Sequence, residues 1–506
     1  MHIKITNALI SVYYKNGLEP IARALHQLGV NIYSTGGTQE FIEKLGIPVN
    51  AVEKLTGYPS ILGGRVKTLH PKIFGGILAR RELLQDLDEV KEYEIPLFDL
   101  VMVDLYPFEE TLAQTNEEEK IIEKIDIGGV SLIRAAAKNF KHSLIVSHTS
   151  QYESLLKILL DQQGCSELVQ RKTFAAGAFN VTSDYDAAIF NYFNETEALP
   201  AIKISYTEGK ALRYGENPHQ KGFFFGNLAN LIKQLHGKEL SYNNLLDVDA
   251  AVSLLNDFAE PTVAVIKHNN PCGVASRESI YAAWTDALAA DPVSAFGGVI
   301  ALNRPVDLAT AKEMDKIFLE VLIAPAYDED ALQLLQGKKN RIILQITGQL
   351  PTSQTVRSVL NGVLVQDRNT VVLKAGDLKP VTSHIATEAQ IEDLLFADKI
   401  VKHTKSNTIV LAKNKQLLGI GCGQTSRIDA LKQAIGKAAA FEFDLHGAAM
   451  SSDAFFPFPD CVEIAYQAGI RLVIQPGGSI KDKESTQFCE QHEMAMYTTG
   501  IRHFKH

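Results

Sequence analysis

The chain has little cysteine, no excess of basic residues and no long apolar run, and each shortage excludes a class of protein. Its five cysteines are an odd number and widely scattered, which argues against a disulfide framework. No apolar run approaches the roughly 18 residues that a membrane helix needs. The formal net charge of −9 disfavours a general binder of nucleic acid or of anionic membranes. We therefore expect a cytoplasmic protein with neither nucleic-acid nor membrane partners.

The composition is otherwise that of a globular protein with several domains. The apolar share is 46%, the charged share is 22%, and 506 residues exceed what one hydrophobic core supports. The N-terminal third alternates strand-like and helix-like segments, which is typical of a parallel α/β sheet. The composition shifts near residues 195–206, so we predict two domains, 1–197 and 198–506. Two strand-to-glycine signatures in the second domain, "TVAVIKHNNPCG" and "RLVIQPGGS", fit two related lobes without establishing a repeat.

The stretch "YSTGGTQEF" (33–41) places a glycine pair between a strand and the start of a helix. Glycine lets the backbone approach an anion closely, and a helix N-terminus offers free N–H groups. A plain tight turn has the same composition, so the pattern leaves both interpretations open. The candidate phosphate-binding residues are Thr35, Gly36, Gly37 and Thr38.

Two further stretches favour an anion pocket in the same third of the chain. "GGRVKTLHPK" (63–72) concentrates basic groups without interleaved acids, unlike an ordinary solvated face. "IDIGGVSLIRAAAKNF" (125–140) sets Asp126 before a glycine pair, where we expect a strand to give way to a helix, and parallel sheets bind ligands at such points. A helix cap with solvent-facing bases is the alternative for this second stretch. The basic residues are Arg65, Lys67, His70 and Lys72 in the first stretch and Arg134 and Lys138 in the second.

The stretch "AVIKHNNPCGVAS" (264–276) admits two opposed interpretations. Pro-Cys near a histidine is typical of a zinc deaminase, but that enzyme needs Pro-Cys-x-x-Cys, and Cys272 is followed by Gly-Val-Ala-Ser. Zinc ligation is therefore disfavoured, and Cys272 is expected to be a small packed residue. Lys267 and His268 remain, at the end of an apolar strand and before a turn that we expect through residues 269–271. An imidazole titrating near pH ~6.5 can accept a proton, and an adjacent ammonium can stabilise an oxyanion, although such a pair is often incidental.

Seven motifs occur in one order along the chain: "GGRVKTLHPK", "IDIGGVSLIRAAAKNF", "LRYGENPHQ", "IKHNNPCG", "DPVSAFGG", "GCGQTSRID" and "SSDAFFPFPD". The series closely resembles the bifunctional AICAR transformylase/IMP cyclohydrolase family, from about Ala8 to the terminal "IRHFKH". The resemblance implies an α/β protein with an N-terminal methylglyoxal-synthase-like parallel-sheet domain. Two cytidine-deaminase-like α/β lobes would follow it.

The resemblance also implies two reactions, the last two of de novo purine synthesis. A formyl group passes from the co-substrate 10-formyltetrahydrofolate to AICAR, and formyl-AICAR then closes to IMP with loss of water. The implied partners are these small molecules, the reduced folate and a second copy of the chain, because the family assembles its transformylase site between subunits; no metal is required. The alternatives are a transformylase with an impaired cyclohydrolase half, a zinc deaminase and a nucleotide sensor without turnover.

For the transformylase, the resemblance implies His268 as general base, Lys267 as oxyanion stabiliser and Asn407 as a residue that holds the reacting groups. The implied nucleotide contacts are Arg213, Tyr214, Gly297, Glu320 and Arg427. The implied folate contacts are Ile428, Phe455, Ser479, Ile480 and Arg502.

For the cyclohydrolase, little chemical machinery is needed, because ring closure is intramolecular and orientation alone corresponds to effective molarities of about 10⁵–10⁸ M. The implied catalytic residues are Lys67, Tyr106, Asp126 and Lys138, the last in proton transfer. Besides the Thr35–Thr38 loop, the implied substrate contacts are Tyr13, Tyr14, Lys15, Arg65, Thr68, Asp104 and Ile127.

The chain departs from the family pattern at three places, all in the cyclohydrolase half. Tyr13 and Tyr14 replace a Ser-Asp pair in "SVYYKNG", and Phe74 stands where histidine is common. Asp104 replaces the asparagine before "LYPF" and exchanges an amide donor for an acceptor-only carboxylate. A carboxylate near a bound phosphate is unfavourable unless a cation compensates for it, so Asp104 is expected to alter substrate contacts.

Overall fold

The computed structural model describes residues 2–62, 65–196, 198–350 and 354–506. Its backbone divides into two compact units, Met1–Thr207 and Glu208–His506. The glycine pair 63–64 of the basic stretch, and residue 197 at the predicted domain boundary, lie outside the described residues. Within the described ranges, no helix is both long enough and apolar enough to span a bilayer.

The first unit is built around a five-stranded parallel sheet. The strands of this unit are β1 (His2–Lys4), β2 (Asn7–Ser11), β3 (Asn31–Ser34), β4 (Asn50–Ala51), β5 (Leu100–Val103), β6 (Leu144–Val146) and β7 (Cys165–Glu167). Its helices are α1 (Leu18–Gln27), α2 (Gly36–Lys44), α3 (Val52–Thr56), α4 (Pro71–Leu78), α5 (Leu84–Glu92), α6 (Phe108–Gln114), α7 (Glu118–Ile122), α8 (Gly128–Lys138), α9 (Tyr152–Asp161) and α10 (Leu168–Phe193). The sheet order is β4-β3-β2-β5-β6, while β1 pairs with β7 separately. The chain order therefore reverses between β2 and β5, and ligands of such sheets bind outside the carboxyl ends of the strands at this point.

The sequence explains why these strands form a parallel sheet. All residues of β5 ("LVMV") and β6 ("LIV") are buried, as expected for strands that helices cover on both faces. In α1, Leu18, Ile21, Ala22 and Leu25 recur at helical spacing and are buried. The predicted strands in the stretches around β3, β5 and β6 are confirmed, whereas the N-terminal stretch divides into two strands, β1 and β2.

The second unit contains a mixed sheet of twelve strands and two separate hairpins. Its strands are β8 (Gly209–Leu212), β9 (Gly222–Phe225), β10 (Ile232–His236), β11 (Thr262–Lys267), β12 (Asn270–Ser276), β13 (Val299–Leu302), β14 (Val321–Ala324), β15 (Ile342–Ile346), β16 (Gln354–Val359), β17 (Gly362–Asp367), β18 (Lys379–Pro380), β19 (Ile409–Lys413), β20 (Gln416–Gly421), β21 (Ala449–Ser452), β22 (Leu472–Gln475) and β23 (Ala495–Thr498). Its helices are α11 (Tyr242–Leu255), α12 (Ile280–Ala290), α13 (Pro292–Ala295), α14 (Leu308–Met314), α15 (Glu329–Gln336), α16 (Glu388–Lys402), α17 (Arg427–Ala440), α18 (Asp460–Gln467) and α19 (Asp482–Gln491).

Two lobes of the second unit repeat one topology. In the first lobe, β11 pairs antiparallel with β12 and β13, and β14 and β15 then add in parallel. In the second lobe, β19 pairs antiparallel with β20 and β21, and β22 and β23 add in parallel. The lobes join where β12 meets β20, at Ala275 and Gln416. The two lobes therefore repeat one topology, but the two strand-to-glycine signatures are not its equivalent parts: the first covers β11 and β12, whose counterparts are β19 and β20, and the second contains β22, whose counterpart is β14.

Candidate functional site

A cavity of 620 Å³ in the first unit opens beyond the carboxyl ends of β2 and β5. The segments that follow β2, β3 and β5 line it together with the segment that leads into α8. Among the predicted residues, it is lined by Tyr13, Lys15, Thr35, Gly37, Thr38, Arg65, Lys67, Thr68, Asp104, Tyr106, Asp126 and Ile127. The cavity thus lies at the switch point of the parallel sheet, where ligands of this architecture bind.

The loop between β3 and α2 is held against β2 by side-chain bonds. The Thr38 hydroxyl donates to the Val12 carbonyl at 2.8 Å and accepts from the Val12 N–H at 3.1 Å. Gly36 has φ of 51°, and a Cβ there would lie 3.3 Å from Lys67 Nζ. The left-handed backbone therefore favours glycine at this position, and a Cβ would displace the lysine ammonium by a few tenths of an ångström.

The Asp104 carboxylate binds backbone N–H groups of the segment that follows β2. Its carboxyl oxygens accept from the Tyr13 N–H and, at 3.0 Å, from the Tyr14 N–H. Burial raises the pKa of Asp104, although these N–H groups and the Lys15 ammonium oppose the rise. Burial lowers the pKa of Lys15, which donates to the carbonyls of Val12 and Tyr13. The expected compensating cation is therefore present beside the carboxylate.

Asp126 lies in the turn before α8 and faces the same cavity. Its Oδ1 accepts from the Gly129 N–H at 2.6 Å, and a Cβ at Gly129 would lie 2.6 Å from Oδ2. Burial raises the pKa of Asp126, the Gly129 N–H opposes the rise, and the charge of Asp104 adds to it. The expectation that a strand precedes Asp126 is wrong, because the preceding element is α7 followed by a turn. The loop nevertheless brings the carboxyl into the cavity.

Aromatic rings and a lysine stand at the mouth of the cavity. Tyr13 and Tyr106 are 44% and 40% exposed, with ring centres 5.7 Å apart. Lys124 Nζ lies 5.4 Å from the centre of the Tyr13 ring and 5.7 Å from that of Tyr106. Tyr14 turns away from the cavity, and its hydroxyl donates to Glu110 at 2.5 Å. Lys124 was not predicted, because nothing in its local sequence distinguishes it from a surface lysine.

Three other predictions in this unit have different outcomes. Lys138 is exposed at the last residue of α8, about 15 Å of helix rise from Gly128, and does not line the cavity. Arg65 lines the cavity but is paired with the exposed Glu123, an acid that was not predicted. Phe74 packs half-buried against the apolar core, as a residue of α4.

In the second unit, the hairpin of β11 and β12 carries Lys267 and His268 at its tip. Lys267 pairs with Asn270 across the two-residue turn His268–Asn269, whose φ values are 52° and 63°. Positive φ at both positions is that of a type I′ turn. The predicted turn through residues 269–271 is wrong, because Pro271 lies within β12, beside a shift in strand register that tolerates proline. A left-handed histidine costs roughly 1–3 kcal/mol, so surrounding contacts must hold it there.

Backbone carbonyls position the ammonium of Lys267. Lys267 Nζ donates to the carbonyls of Phe296 at 2.9 Å and Gly297 at 3.0 Å. Gly297 has φ of 65°, and a Cβ there would lie 3.4 Å from Nζ. Burial opposes ionisation of Glu320, but bonds from Lys238 and Asn244 outweigh it and lower the pKa of that carboxyl. The predicted Lys267, Gly297 and Glu320 therefore form one neighbourhood.

A second cluster centres on Arg427 at the start of α17. Arg427 Nη2 donates to Asn407 Oδ1 and to Asp453 Oδ1, both at 2.8 Å, and Nη1 donates to the Phe455 carbonyl at 3.2 Å. Asn407 Nδ2 donates to the Gln424 carbonyl at 3.0 Å. Arg427 Nε and Asp453 Oδ2 are buried without a partner among the described residues. Asp453 was missed as a site residue, although it lies within the motif "SSDAFFPFPD".

The two clusters lie close together, while other predicted residues are open to solvent. The Lys405 N–H, two residues before Asn407, donates to Asn270 Oδ1 at 3.5 Å, next to the hairpin tip. Phe455 is 39% exposed and Ile480 is fully exposed. Arg213, whose guanidinium lies 4.7 Å from the Tyr214 ring centre, and Arg502, over the Phe504 ring, are also exposed. Ile428, in the first turn of α17, packs half-buried against the core, and Ser479, in the loop after β22, is half-buried. None of these residues lines the second cavity, which runs along α19.

The described residues contain no group of three or more histidine, cysteine or acidic side chains arranged to hold a metal ion. The Cys272 Sγ lies 3.5 Å from the Val265 carbonyl, and burial raises the pKa of its thiol to about 12. Such a thiol stays protonated and packs as a small apolar group.

Known proteins resemble the chain over nearly its full length. The family model for the MGS-like domain matches residues 17–131, and the family model described as AICARFT/IMPCHase bienzyme matches residues 136–437. A protein of Bacteroides thetaiotaomicron named bifunctional purine biosynthesis protein PurH is 60% identical over 504 residues, 99% of each chain. A protein of the same name from Aquifex aeolicus is 48% identical over 514 residues, 99% of this chain and all of its own. The crystal structure of ForH is 35% identical, covers 37% of this chain and 99% of its own, and has a TM-score of 0.34.

Proposed function

Since the chain belongs to the AICARFT/IMPCHase bienzyme family, we propose which of its residues carry out the two reactions. The protein is a bifunctional enzyme that transfers a formyl group from 10-formyltetrahydrofolate to AICAR and cyclises formyl-AICAR to IMP. We assign ring closure to the predicted domain 1–197 and formyl transfer to the predicted domain 198–506. The full-length similarity to proteins named bifunctional favours two working halves over a transformylase alone.

For ring closure, the observation that carries the assignment is the cavity at the carboxyl ends of β2 and β5. The Thr35–Thr38 loop and Lys15 are proposed to hold the nucleotide phosphate, because they offer backbone N–H groups and a cation. Lys67, Tyr106 and Asp126 line the same cavity and are proposed to move protons during attack of the carboxamide nitrogen on the formyl carbon. Lys138 is supported by the resemblance but not by its place on α8.

For formyl transfer, the supporting observation is the hairpin tip that presents Lys267 beside His268. His268 is proposed to accept the proton of the AICAR amine as its nitrogen attacks the formyl carbon. Two carbonyls occupy two of the three donors of Lys267, so one donor remains for the oxyanion. The tetrahedral intermediate then collapses. The bond between the formyl carbon and N10 breaks, and tetrahydrofolate leaves with a proton on N10. Arg427 is proposed to orient Asn407 and to contact the nucleotide.

A homodimer is proposed because surfaces of the transformylase unit are left uncovered. The hairpin of β16 and β17 is exposed on both faces, and Leu360 at its tip and Leu364 are 101% and 61% exposed. An isolated two-stranded hairpin is at best marginally stable in water, so a second copy that covers it would stabilise it. The same partner would complete the folate site, in which Phe455 and Ile480 are exposed. We also propose that the enzyme acts in the cytoplasm.

The test of the two assignments follows tetrahydrofolate and IMP separately, with AICAR and 10-formyltetrahydrofolate as substrates. His268→Ala and Lys267→Ala should each abolish most formyl transfer, while IMP formation from supplied formyl-AICAR should continue. His384→Ala, at an exposed histidine of the same unit outside every motif, is the matched control and should keep both activities. Near-normal transfer by either site variant would remove that residue from its role.

The dimer is tested by sedimentation of Leu360→Glu and Leu364→Glu. Charges on the hairpin should weaken association and lower transformylase activity at low protein concentration, while ring closure should persist. Leu84→Glu, at a leucine of the first unit that is 79% exposed, controls for the added charge. A wild-type monomer with full transformylase activity would exclude a site shared between subunits.

A further inference from the structure

We infer that Asp247 is a positioning residue that holds the turn of His268 in its active conformation, an inference that rests on the proposed role of His268 as general base. Asp247 lies in α11, outside every motif that indicated the function. It is therefore a candidate that only the tertiary structure brings to the site.

The Asp247 carboxylate binds the backbone at the tip of the hairpin of β11 and β12. Its Oδ1 accepts from the Asn269 N–H at 2.7 Å, and the neighbouring backbone and charge of His268 help to oppose the burial that raises the pKa of this carboxyl. Both turn residues have left-handed backbones, which cost free energy for residues other than glycine. The bond from the Asn269 N–H to this carboxylate counteracts the cost, because charge-assisted hydrogen bonds are stronger than neutral ones.

Helix α11 is well suited to fix this carboxylate. A capping box between Ser241 and Asn244 begins the helix, and Val248, Ala251 and Leu254 anchor it in the core. Asn244 lies near Glu320, a predicted nucleotide contact, and helps to lower the pKa of its carboxyl. Residues three apart lie on one helix face, so a single face of α11 supports both the Glu320 side and the His268 side of the site.

The carboxylate also acts on the charge of the imidazole. Burial raises the pKa of Asp247, while the Asn269 N–H and the charges of His268 and Lys267 oppose the rise. By the same interaction, the ionised carboxylate stabilises the imidazolium that forms when His268 accepts a proton. The charged groups about the hairpin tip are Asp247 on α11, Lys267 on β11, Lys405 after α16, and the Lys238–Glu320 pair, 2.9 Å apart.

The experiment uses the full-length enzyme and measures kcat and KM for formyl transfer as a function of pH. Asp247→Ala should lower kcat by about 10²-fold with little change in KM, because a displaced base loses alignment rather than substrate contacts. Asp247→Asn keeps an oxygen acceptor for the turn and should retain more activity. Its kcat should lie between those of Asp247→Ala and wild type at an unchanged KM, because a neutral oxygen acceptor still holds the turn and the substrate contacts are untouched. Asp249→Ala, at an exposed aspartate two residues along α11, is the matched control.

Each outcome decides one question. If Asp247→Ala matches the Asp249→Ala control within twofold, or if Asp247→Asn loses as much kcat as Asp247→Ala, Asp247 does not position His268. If Asp247→Ala fails to fold, as judged by the fluorescence of the buried Trp284 in the same unit, the kinetics of Asp247→Asn alone decide: a lower kcat at an unchanged KM supports the inference, and a wild-type kcat overturns it. Full transfer by His268→Ala would instead overturn the proposed base, whatever the Asp247 variants do.

Discussion

Replacing Arg427 with methionine should destabilise the second unit by about 3–5 kcal/mol, because the change leaves a buried carboxylate without its cation. The Arg427 and Asp453 side chains are 9% and 0% exposed, and their ion pair measures 2.8 Å. Methionine keeps much of the apolar volume but none of the donors to Asp453 and Asn407. An exposed pair would be worth only ~0–1 kcal/mol, so the expected size depends directly on burial.

The assay uses the single tryptophan of the chain. Trp284 is fully buried in α12, so its fluorescence in urea reports on the unit that contains the ion pair. A lower midpoint with an unchanged slope would mean lost stability rather than a changed denatured state. Formyl transfer should also fall, because Arg427 holds Asn407, while IMP formation from supplied formyl-AICAR should stay normal.

A double-mutant cycle separates the lost pair from lost packing. Asp453→Asn removes the charge that Arg427→Met leaves unpaired, so the double variant should be less destabilised than the sum of the single variants. The reasoning is refuted if Arg427→Met costs less than about 1 kcal/mol, the range of an exposed pair. It is equally refuted if the two single effects add.

The remaining predictions concern the cyclohydrolase cavity. Lys67→Ala should slow closure of supplied formyl-AICAR by about 10²-fold or more, whereas Lys138→Ala should stay within threefold of wild type. An equal loss of activity in both variants would mean that Lys138 is a catalytic residue. Asp104→Asn should keep ring closure within several-fold of wild type, and loss of closure would make the carboxylate essential. Because burial raises the folded-state pKa of Asp104, ionising it costs the native state stability. Wild type should therefore lose stability relative to Asp104→Asn as pH increases from about 3.9, the ordinary pKa of an aspartate, through the raised pKa. Urea unfolding of both proteins across that range measures the difference. A difference in unfolding free energy that does not change with pH would contradict the prediction.

Local patterns predicted the parallel sheet and most of the cavity that lies beside it. The glycine pair of the Thr35–Thr38 loop and the basic stretch containing Lys67 are short-range signals, and the sheet topology alone brings their two segments together. The position of Asp126 was right, although the strand expected before it is a helix and a turn. Site residues that are indicated by a pattern of about ten consecutive residues could therefore be predicted from the sequence.

Conformations and roles that depend on residues distant in the sequence could not be predicted. The turn at His268 was placed one residue too late, because Asp247, 21 residues earlier in the chain, helps to hold a left-handed conformation that the local sequence does not favour. Asp453 was overlooked because its partner Arg427 lies 26 residues away. Lys138 was assigned through the family resemblance, and its place at the last residue of α8 leaves that assignment a prediction.

The two sites differ in how they are assembled, and this difference predicts how each responds to damage. The cavity to which we assign ring closure is bounded by segments at one edge of one sheet, and Asp104 and Thr38 tie those segments together. The groups to which we assign formyl transfer come from both lobes of the second unit: Lys267 belongs to the first lobe and Arg427 to the second. Because the lobes join at the edge where β12 meets β20, a substitution that loosens this contact disturbs the alignment of base, cation and asparagine before it unfolds either lobe. Formyl transfer should therefore be lost at lower urea concentration than ring closure.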